Sequence, residues 1–281
     1  MALQHKPTAP HHPTQDALRA LEAVARYPAG ISETDLARHS GLGRERLAPL
    51  LRMLRQEGYV ERGADGAYVT GEALTRPDSA HGREQAVRER LQRTLDRLRD
   101  TVGAAVYMSR YVDGEVRVVH CADSPAAPRV NEWVDFRRSA HATALGKSLL
   151  TQLAPAGRRD HLARHRAARL TSRTITSDRL LLSRLESQPA GMPVLDLQEY
   201  AVGTVCAAVP IPAGSAAGSL ALSLPVEHAH RLRRAADTLN RGATPVLLSL
   251  AIQDLPADSR PARPARPGRG AGGRSTPGEQ V

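Results

Sequence analysis

Between Thr14 and Thr70 the chain packs three apolar-periodic segments and two short β-type runs into fifty-seven residues. Few folds accept that order at that spacing. Leu18, Leu21, Val24 and Ala25 recur at helical intervals, with Thr14 placed to cap the start and Pro28 and Gly30 to end it. Ser32 opens a second helix: its hydroxyl can accept from the N–H three residues on, and Glu33 and Asp35 suit the positive end of the dipole. Leu36 and Ala37 face inward before Gly41–Leu42–Gly43 makes a tight turn. A third helix runs from Arg44 to Glu57 with Leu47, Leu50, Leu51 and Leu54 as its stripe and Gly58 as its stop. Tyr59–Arg62 and Ala67–Thr70 then flank a Gly63–Gly66 turn as a hairpin. This is the order of a winged helix-turn-helix.

In such a motif the second helix of the pair enters the major groove by its N-terminal end. Here that end carries Arg44, Glu45 and Arg46, with Arg52 and Arg55 further along and Arg62 at the hairpin as a phosphate contact. Arginine bridges guanine O6 and N7 with two hydrogen bonds, which is why this residue type is informative at this place. The bland alternative is solubilising surface. Pro49 lies six residues into the helix, where it removes a backbone hydrogen bond, so either a kink or a late helix start near Ala48 is expected.

Net charge is a poor guide. The chain carries +10, but residues 14–75 hold eight arginines against nine carboxylates, a balance of −1. The case for DNA therefore rests on local pattern. Residues 1–13 and 256–281 are Pro- and Gly-rich with almost no apolar content and read as disordered tails, the second basic. No run of 18 uncharged apolar residues exists, so no membrane span is expected. Lys6 is followed by Pro and His rather than an apolar stretch, and Cys121 and Cys206 form no metal-type pair. A reduced, cytoplasmic protein without cofactor or metal follows. Its His161/His165 pair shares a helical spacing but has no further ligand.

Residues 76–102 read as a linker. Its helix spans Arg83 to Val102, with a narrow stripe at Val87, Leu91, Leu95, Leu98 and Val102, suited to dimerisation or to packing on its own domain. Residues 103–255 change character. A hairpin turns at Asp113–Gly114, Trp133 lies in a β-like stretch, and helices are expected at Ala142–Leu153 and Ser177–Gln188. Strands follow at Val194–Leu197, Gly203–Ile211 and Ser219–Leu224, then helices at Val226–Asn240 and Ala243–Gln253. The fold class is α+β: an antiparallel sheet flanked by helices, of the kind that senses small molecules.

Two further patterns concern a ligand. Small residues in His141–Leu150 (HATALGKSLL) open a helix, whose first N–H groups suit an anion. Cys206 and Ser223 put polar groups on apolar strands. HATALGKSLL, the Asp196–Pro210 run and RTITS at Arg173–Ser177 resemble the effector domain of the IclR family of bacterial transcription regulators. LARHSGLGRERLAPLLRMLRQEGYVER resembles that family's DNA-binding domain, so the likeness covers roughly residues 14–254.

The resemblance implies a GAF-like effector domain and a homodimer or homotetramer on a near-palindromic operator in double-stranded DNA. It also implies a pocket for a small-molecule effector such as a carboxylate, at the backbone of Ala144 and Leu145 and the side chains of Asp196, Cys206 and Ser223. Pro225 stands where some carboxylate-binding members have a hydroxyl, and Pro49 and Leu47 depart from the usual recognition helix. The function implied is sequence-specific regulation tuned by the effector, with the Arg83–Val102 helix passing the change on. One rival is a regulator whose second domain only oligomerises. Another is an enzyme using Cys206 with His141 as base, against which the apolar strand around Cys206 disfavours a thiolate.

Overall fold

The computed structural model describes residues 12–74, 80–132, 134–190, 192–211 and 216–253. Apart from residues 12 and 13, both expected tails lie outside that set, as do Trp133 and residues 76–79 of the linker.

The N-terminal unit has helices α1 (His12–Ala25), α2 (Glu33–Ser40) and α3 (Arg44–Gln56) and strands β1 (Val60–Arg62) and β2 (Tyr68–Thr70). Helix α1 starts two residues before Thr14, which is therefore not its cap. Pro13 suits the first turn, where its missing N–H is no loss. Ser32 does cap α2, accepting from the Asp35 N–H at 3.1 Å. Gly41 ends it at φ +68°, a conformation that favours glycine. Leu47, Leu50, Leu51 and Leu54 are buried, and α3 runs unbroken from Arg44 through Pro49. The late start does not occur, and Pro49 is exposed. The Glu45 carbonyl that it leaves without an intrahelical donor lies on that outer face, within reach of water. Strands β1 and β2 pair antiparallel, with Arg62 opposite Tyr68, and Tyr68 bridges back to Ile31.

The remainder comprises α4 (Ala80–Val102), β3 (Ala105–Val112), β4 (Glu115–Ala122), α5 (Ala144–Thr151), α6 (Pro155–Arg164) and α7 (Asp178–Ser187). After these come β5 (Val194–Leu197), β6 (Thr204–Pro210), β7 (Gly218–Pro225), α8 (Leu232–Arg241) and α9 (Thr244–Gln253). The five strands form one antiparallel sheet in the order β4-β3-β7-β6-β5. Asp113 and Gly114 both take positive φ between β3 and β4, the geometry of a two-residue hairpin turn.

Alternation along the strands builds two cores. Val106 and Met108 face α4, α8 and α9, whereas Ala105 and Tyr107 face the layer of α5, α6 and α7. Leu91, Leu95, Leu98 and Val102 of α4 are buried in the first of these, so the stripe packs on its own chain. Helix α6 was not expected. It carries few apolar residues, and its buried positions include Arg158 and His161, so it shows no stripe; Pro155 sits in its first turn. Similarly, the single helix expected from Val226 is a 3-10 turn to Arg231 followed by α8, since nothing in Val226–Arg231 is buried. No helix among the described residues is long and apolar enough to cross a membrane.

The two units share a seam. Leu248 and Ile252 of α9 lie in the same apolar cluster as Ala17, Leu36, Leu47 and Tyr59. The Tyr59 hydroxyl meets Ser249 Oγ at 2.8 Å in a buried contact. Thr94 of α4 donates to Glu57 at 2.9 Å, and Arg97 pairs with the same carboxylate.

Candidate DNA interface and effector pocket

Four leucines turn one side of α3 inward, and 3.6 residues per turn then decides what lies opposite. The outward row is Glu45, Pro49, Arg52 and Gln56, beside Ala48, all exposed. Of the six residues expected to meet DNA, Glu45 and Arg52 stand in that row. Arg44 is on its flank and donates to Thr34 Oγ1 of α2 at 3.3 Å. Arg46 is ion-paired with the buried Asp16 of α1, tying α1 to α3. Arg55, i+11 from Arg44, lies on the same flank and, with Gln56, lines a cleft of about 580 Å³ shared with Arg90, Arg93 and Arg97 of α4. Arg62 spans the hairpin, donating to the Gly66 carbonyl at 3.2 Å with its guanidinium 5.7 Å from the Tyr68 ring centre. Gln56 was missed, although its spacing of i+4 and i+11 from Arg52 and Glu45 marks it as part of the same row.

In the second unit, a pocket lies between the start of α5 and the β-sheet. Four of the five expected residues line it: Ala144, Leu145, Asp196 and Cys206. Ser223 does not. It lies opposite Cys206 in the β6–β7 register and meets the Tyr107 hydroxyl at 3.1 Å, so it holds a wall in place. Pro225, also noted, is exposed at the end of β7. Sequence reading missed three aromatic walls, Tyr107, Phe136 and Tyr200, together with Val130, Thr143, Ala221 and Leu222. Tyr107 accepts the Val130 N–H at 2.7 Å, and Tyr200 donates to the Val134 carbonyl at 2.7 Å, so both hydroxyls anchor the loop that covers the pocket. The free volume is about 20 Å³, room for about one water molecule.

At the mouth of α5, Thr143 is the cap and accepts the Gly146 N–H at 3.1 Å. The N–H groups of Ala144 and Leu145, in the first turn, have no intrahelical acceptor. Asp196 closes the other end. Its Oδ1 accepts from the N–H groups of Glu199 at 2.7 Å and Tyr200 at 3.4 Å. Burial pushes its carboxyl up to about 6, with the Lys147 charge opposing. Beneath it, Lys147 and Glu199 form a buried ion pair at 2.6 Å. The Arg173–Ser177 segment singled out in the sequence serves this loop: Thr174 Oγ1 donates to the Glu199 carbonyl at 2.6 Å, and the nearby Thr171 donates to Gln198.

The Asp196 carboxyl takes up protons more readily folded than unfolded. Its contribution therefore favours the folded state at acid pH and is lost as pH rises from about 4 through about 6. Asp196→Asn should remove that dependence. The difference in thermal midpoint between the variant and the parent is expected to move in the variant's favour across this interval; a difference constant with pH would refute the assignment.

Burial likewise pushes the Cys206 thiol well up, and the neighbouring Asp196 carboxylate raises it further. His141 Nε2 donates to the Ala168 carbonyl at 2.8 Å instead. His161 is held by Tyr111 at 3.0 Å and is pushed down to about 4 by burial. No group of three residues that could hold a metal occurs among the described residues.

A winged helix-turn-helix joined through α4 and α9 to a pocketed antiparallel sheet defines a DNA-binding regulator with a sensing domain. Residues 81–243 match the model of the bacterial transcriptional regulator IclR C-terminal domain, and residues 15–64 that of the IclR helix-turn-helix domain. The HTH-type transcriptional regulator Rv1719 of Mycobacterium tuberculosis is 30% identical over 217 residues, covering 74% of this chain and 78% of that protein. The HTH-type transcriptional regulator XynR of Escherichia coli is 26% identical over 197 residues, 69% and 78%. Among solved structures, an IclR homologue from Microbacterium hydrocarbonoxydans complexed with 4-hydroxybenzoate shares the fold at a TM-score of 0.52 and 20% identity, covering 85% of this chain and 98% of that one. A transcriptional regulator of Rhodococcus sp. RHA1 does so at 0.54 and 22%, with 85% and 98% covered. The chain belongs to the IclR family of transcriptional regulators, with a helix-turn-helix DNA-binding domain and a C-terminal effector-binding domain. The family consists of regulators, not enzymes.

Proposed function

We propose that this regulator works in the cytoplasm as a homodimer or homotetramer. It would place the outward row of α3 in the major groove of each half of a near-palindromic operator and release or tighten that grip when a small molecule enters the pocket. The observation that carries the reading is the exposed row Glu45–Pro49–Arg52–Gln56 opposite four buried leucines. Arg52 is its only cation and reads base edges; Arg44, on the flank, and Arg62, on the hairpin, suit phosphates, and Arg46 holds α3 on α1.

Arg52→Ala is expected to weaken binding to a protected promoter fragment by about 10- to 100-fold, the equivalent of about 1–3 kcal/mol, and to weaken binding to random duplex far less. Footprinting of the DNA flanking the gene, followed by titration at physiological salt, measures both. A parent protein that prefers no fragment over random duplex would sink the reading.

For the effector, the pocket offers unpartnered N–H groups at α5, three aromatic walls and an acceptor at Asp196. That set suits a small aromatic carboxylate bearing a hydroxyl donor, with the carboxylate at α5 and the hydroxyl at Asp196. A relative of this fold holds 4-hydroxybenzoate, which has this chemistry. Entry requires the Tyr107 and Tyr200 anchors to give way, since about 20 Å³ cannot hold such a ring. The sheet carries the pocket on one face and α4 and α9 on the other, and these two helices hold the DNA-binding unit through Glu57, Tyr59 and the α1 cluster.

The same small volume favours a second reading, a domain that binds nothing and only oligomerises. Thermal-shift titration with benzoate and 4-hydroxybenzoate, repeated with Tyr107→Phe, separates the two. A rise in melting temperature that the variant alters supports sensing; no response across a wider metabolite panel supports the rival.

A further inference from the structure

Affinity for duplex comes largely from backbone phosphates neutralised by Lys and Arg, and the DNA-binding unit has little charge to spare. Its balance is −1 over residues 14–75, and Arg38 and Arg46 are ion-paired with Asp35 and Asp16 of the same unit. Helix α4 bears on this shortage. Its Arg88 is paired with Glu84, Arg97 with Glu57, and Arg99 with Asp96 and Asp100. Arg90 donates to the Ala73 carbonyl at 3.0 Å and lies over the Tyr59 ring, 5.1 Å from its centre. Arg93, by contrast, is exposed and paired with no carboxylate among the described residues, and the same holds for Arg55 of α3.

These two arginines line the cleft of about 580 Å³ between the end of α3 and α4, one from each wall. The walls are firmly set, because Glu57 at the end of α3 takes Thr94 and Arg97 of α4 together. Three carboxylates line the cleft as well as four arginines. Glu57 is taken up by Arg97, and Glu89 accepts from Gln85 at 2.7 Å, so Arg55, Arg90 and Arg93 stand against Glu72 and Glu89, a surplus of one positive charge. Position decides what this charge meets. Gln56 lines the cleft and also ends the outward row of α3 that the proposed function places in the major groove. Arg44 and Arg55 share one flank of α3, eleven residues and so about 16 Å apart. A helix of about 10 Å diameter fills a groove about 12 Å wide, so a DNA backbone runs along each of its flanks. The strand that passes Arg44 thus reaches Arg55 and the mouth of the cleft.

We infer that this cleft receives a backbone phosphate of the operator, held by Arg55 from α3 and Arg93 from α4. The contact rests on the DNA-binding reading above and extends it to a helix outside the helix-turn-helix. It adds affinity without base discrimination, since phosphates are alike along the duplex. It also gives the effector domain a direct hold on DNA. Helix α4 buries Leu91, Leu95 and Leu98 in the core on one face of the sheet, so a shift of α4 changes the distance from Arg93 to Arg55.

The test compares the parent with Arg55→Gln, Arg93→Gln and the double variant. Each is titrated by fluorescence anisotropy, over a range of salt, against the promoter fragment that the parent protects and against a scrambled duplex of equal length. The double variant is expected to bind both duplexes about 3- to 10-fold more weakly at physiological salt, with the slope of log affinity against log salt shallower by about 0.9 for each half-site. The single variants should fall between, and melting temperatures should stay unchanged, since neither side chain is ion-paired in the fold. Replacing single phosphates of the fragment by neutral methylphosphonates should then find one position in each half-site that weakens the parent and leaves the double variant unaffected. An unchanged slope in the double variant, with no such position, while the parent still prefers its promoter fragment, overturns the inference and leaves the DNA-binding reading standing. If, with that unchanged slope, inorganic phosphate or pyrophosphate raises the melting temperature of the parent but not of the double variant, the cleft belongs to a small anion and the inference is equally overturned. A parent without promoter preference overturns both readings.

Discussion

Gly146→Ala is expected to lower the thermal midpoint by about 6–12 °C, corresponding to about 3 kcal/mol at 2–4 °C per kcal/mol for a protein of this size. A Cβ at this position would lie 2.3 Å from Ala140 Cα, 2.5 Å from Ala140 O and 2.7 Å from Thr143 Oγ1. Two of these are backbone atoms, so no rotamer change relieves the overlap. Nor is the Ala140 segment free to retreat: Ala142 donates to the Ser139 carbonyl at 3.0 Å, Ser139 Oγ to Asp135 at 3.0 Å, and the His141 ring is bonded to the Ala168 carbonyl.

An opposing effect exists, since alanine is a better helix former than glycine by up to about 1 kcal/mol. It is too small to win. Because Thr143 is both the α5 cap and a wall of the pocket, the variant should also lose any stabilisation by a pocket ligand. Thermal unfolding with and without ligand reads both effects. A midpoint within about 1 °C of the parent would mean that the close approach of Ala140 to α5 is not part of the working fold.

The contrast between what was and was not legible follows from range. Leu47, Leu50, Leu51 and Leu54 announce α3 because a helix repeats its inward face locally. Ser32 announces α2 because its hydrogen bond reaches only three residues, and Asp113–Gly114 announces a hairpin because both residues accept positive φ. Features fixed by distant partners left no such mark. Arg46 has the look of a groove residue, but its partner is Asp16, thirty positions away. Ser223 has the look of a pocket residue, but Tyr107 on the adjacent β3 stands in front of it. Phe136 and Tyr200, packed at 5.4 Å between ring centres, lie outside any periodic element. Helix α9 reads as one more amphipathic helix of the second domain. That its Leu248 and Ile252 complete the core of the first depends on where the whole sheet sits relative to α1.

Lys147→Met is expected to produce the other large effect, a loss of about 3–5 kcal/mol of stability. Lys147 and Glu199 are 7% and 9% exposed at their side chains. Taking away the ammonium leaves a carboxylate buried without its partner, and Glu199 Oε2 already lacks one. Methionine keeps the length and apolar stem of lysine, so packing changes little and the charge carries the difference. Asp196 would feel the change too, because Lys147 is the charge that offsets its burial.

The pair as a whole is a different matter, since two charges removed from water together regain in attraction roughly what desolvation costs. Lys147→Met with Glu199→Gln should therefore recover most of the loss. A double-mutant cycle by urea unfolding would show a coupling of at least about 2 kcal/mol. Simple additivity of the two single changes would show instead that the ion pair does not hold the 198–200 loop over the pocket. In that event the closed state of the pocket would rest on the Tyr107 and Tyr200 anchors alone.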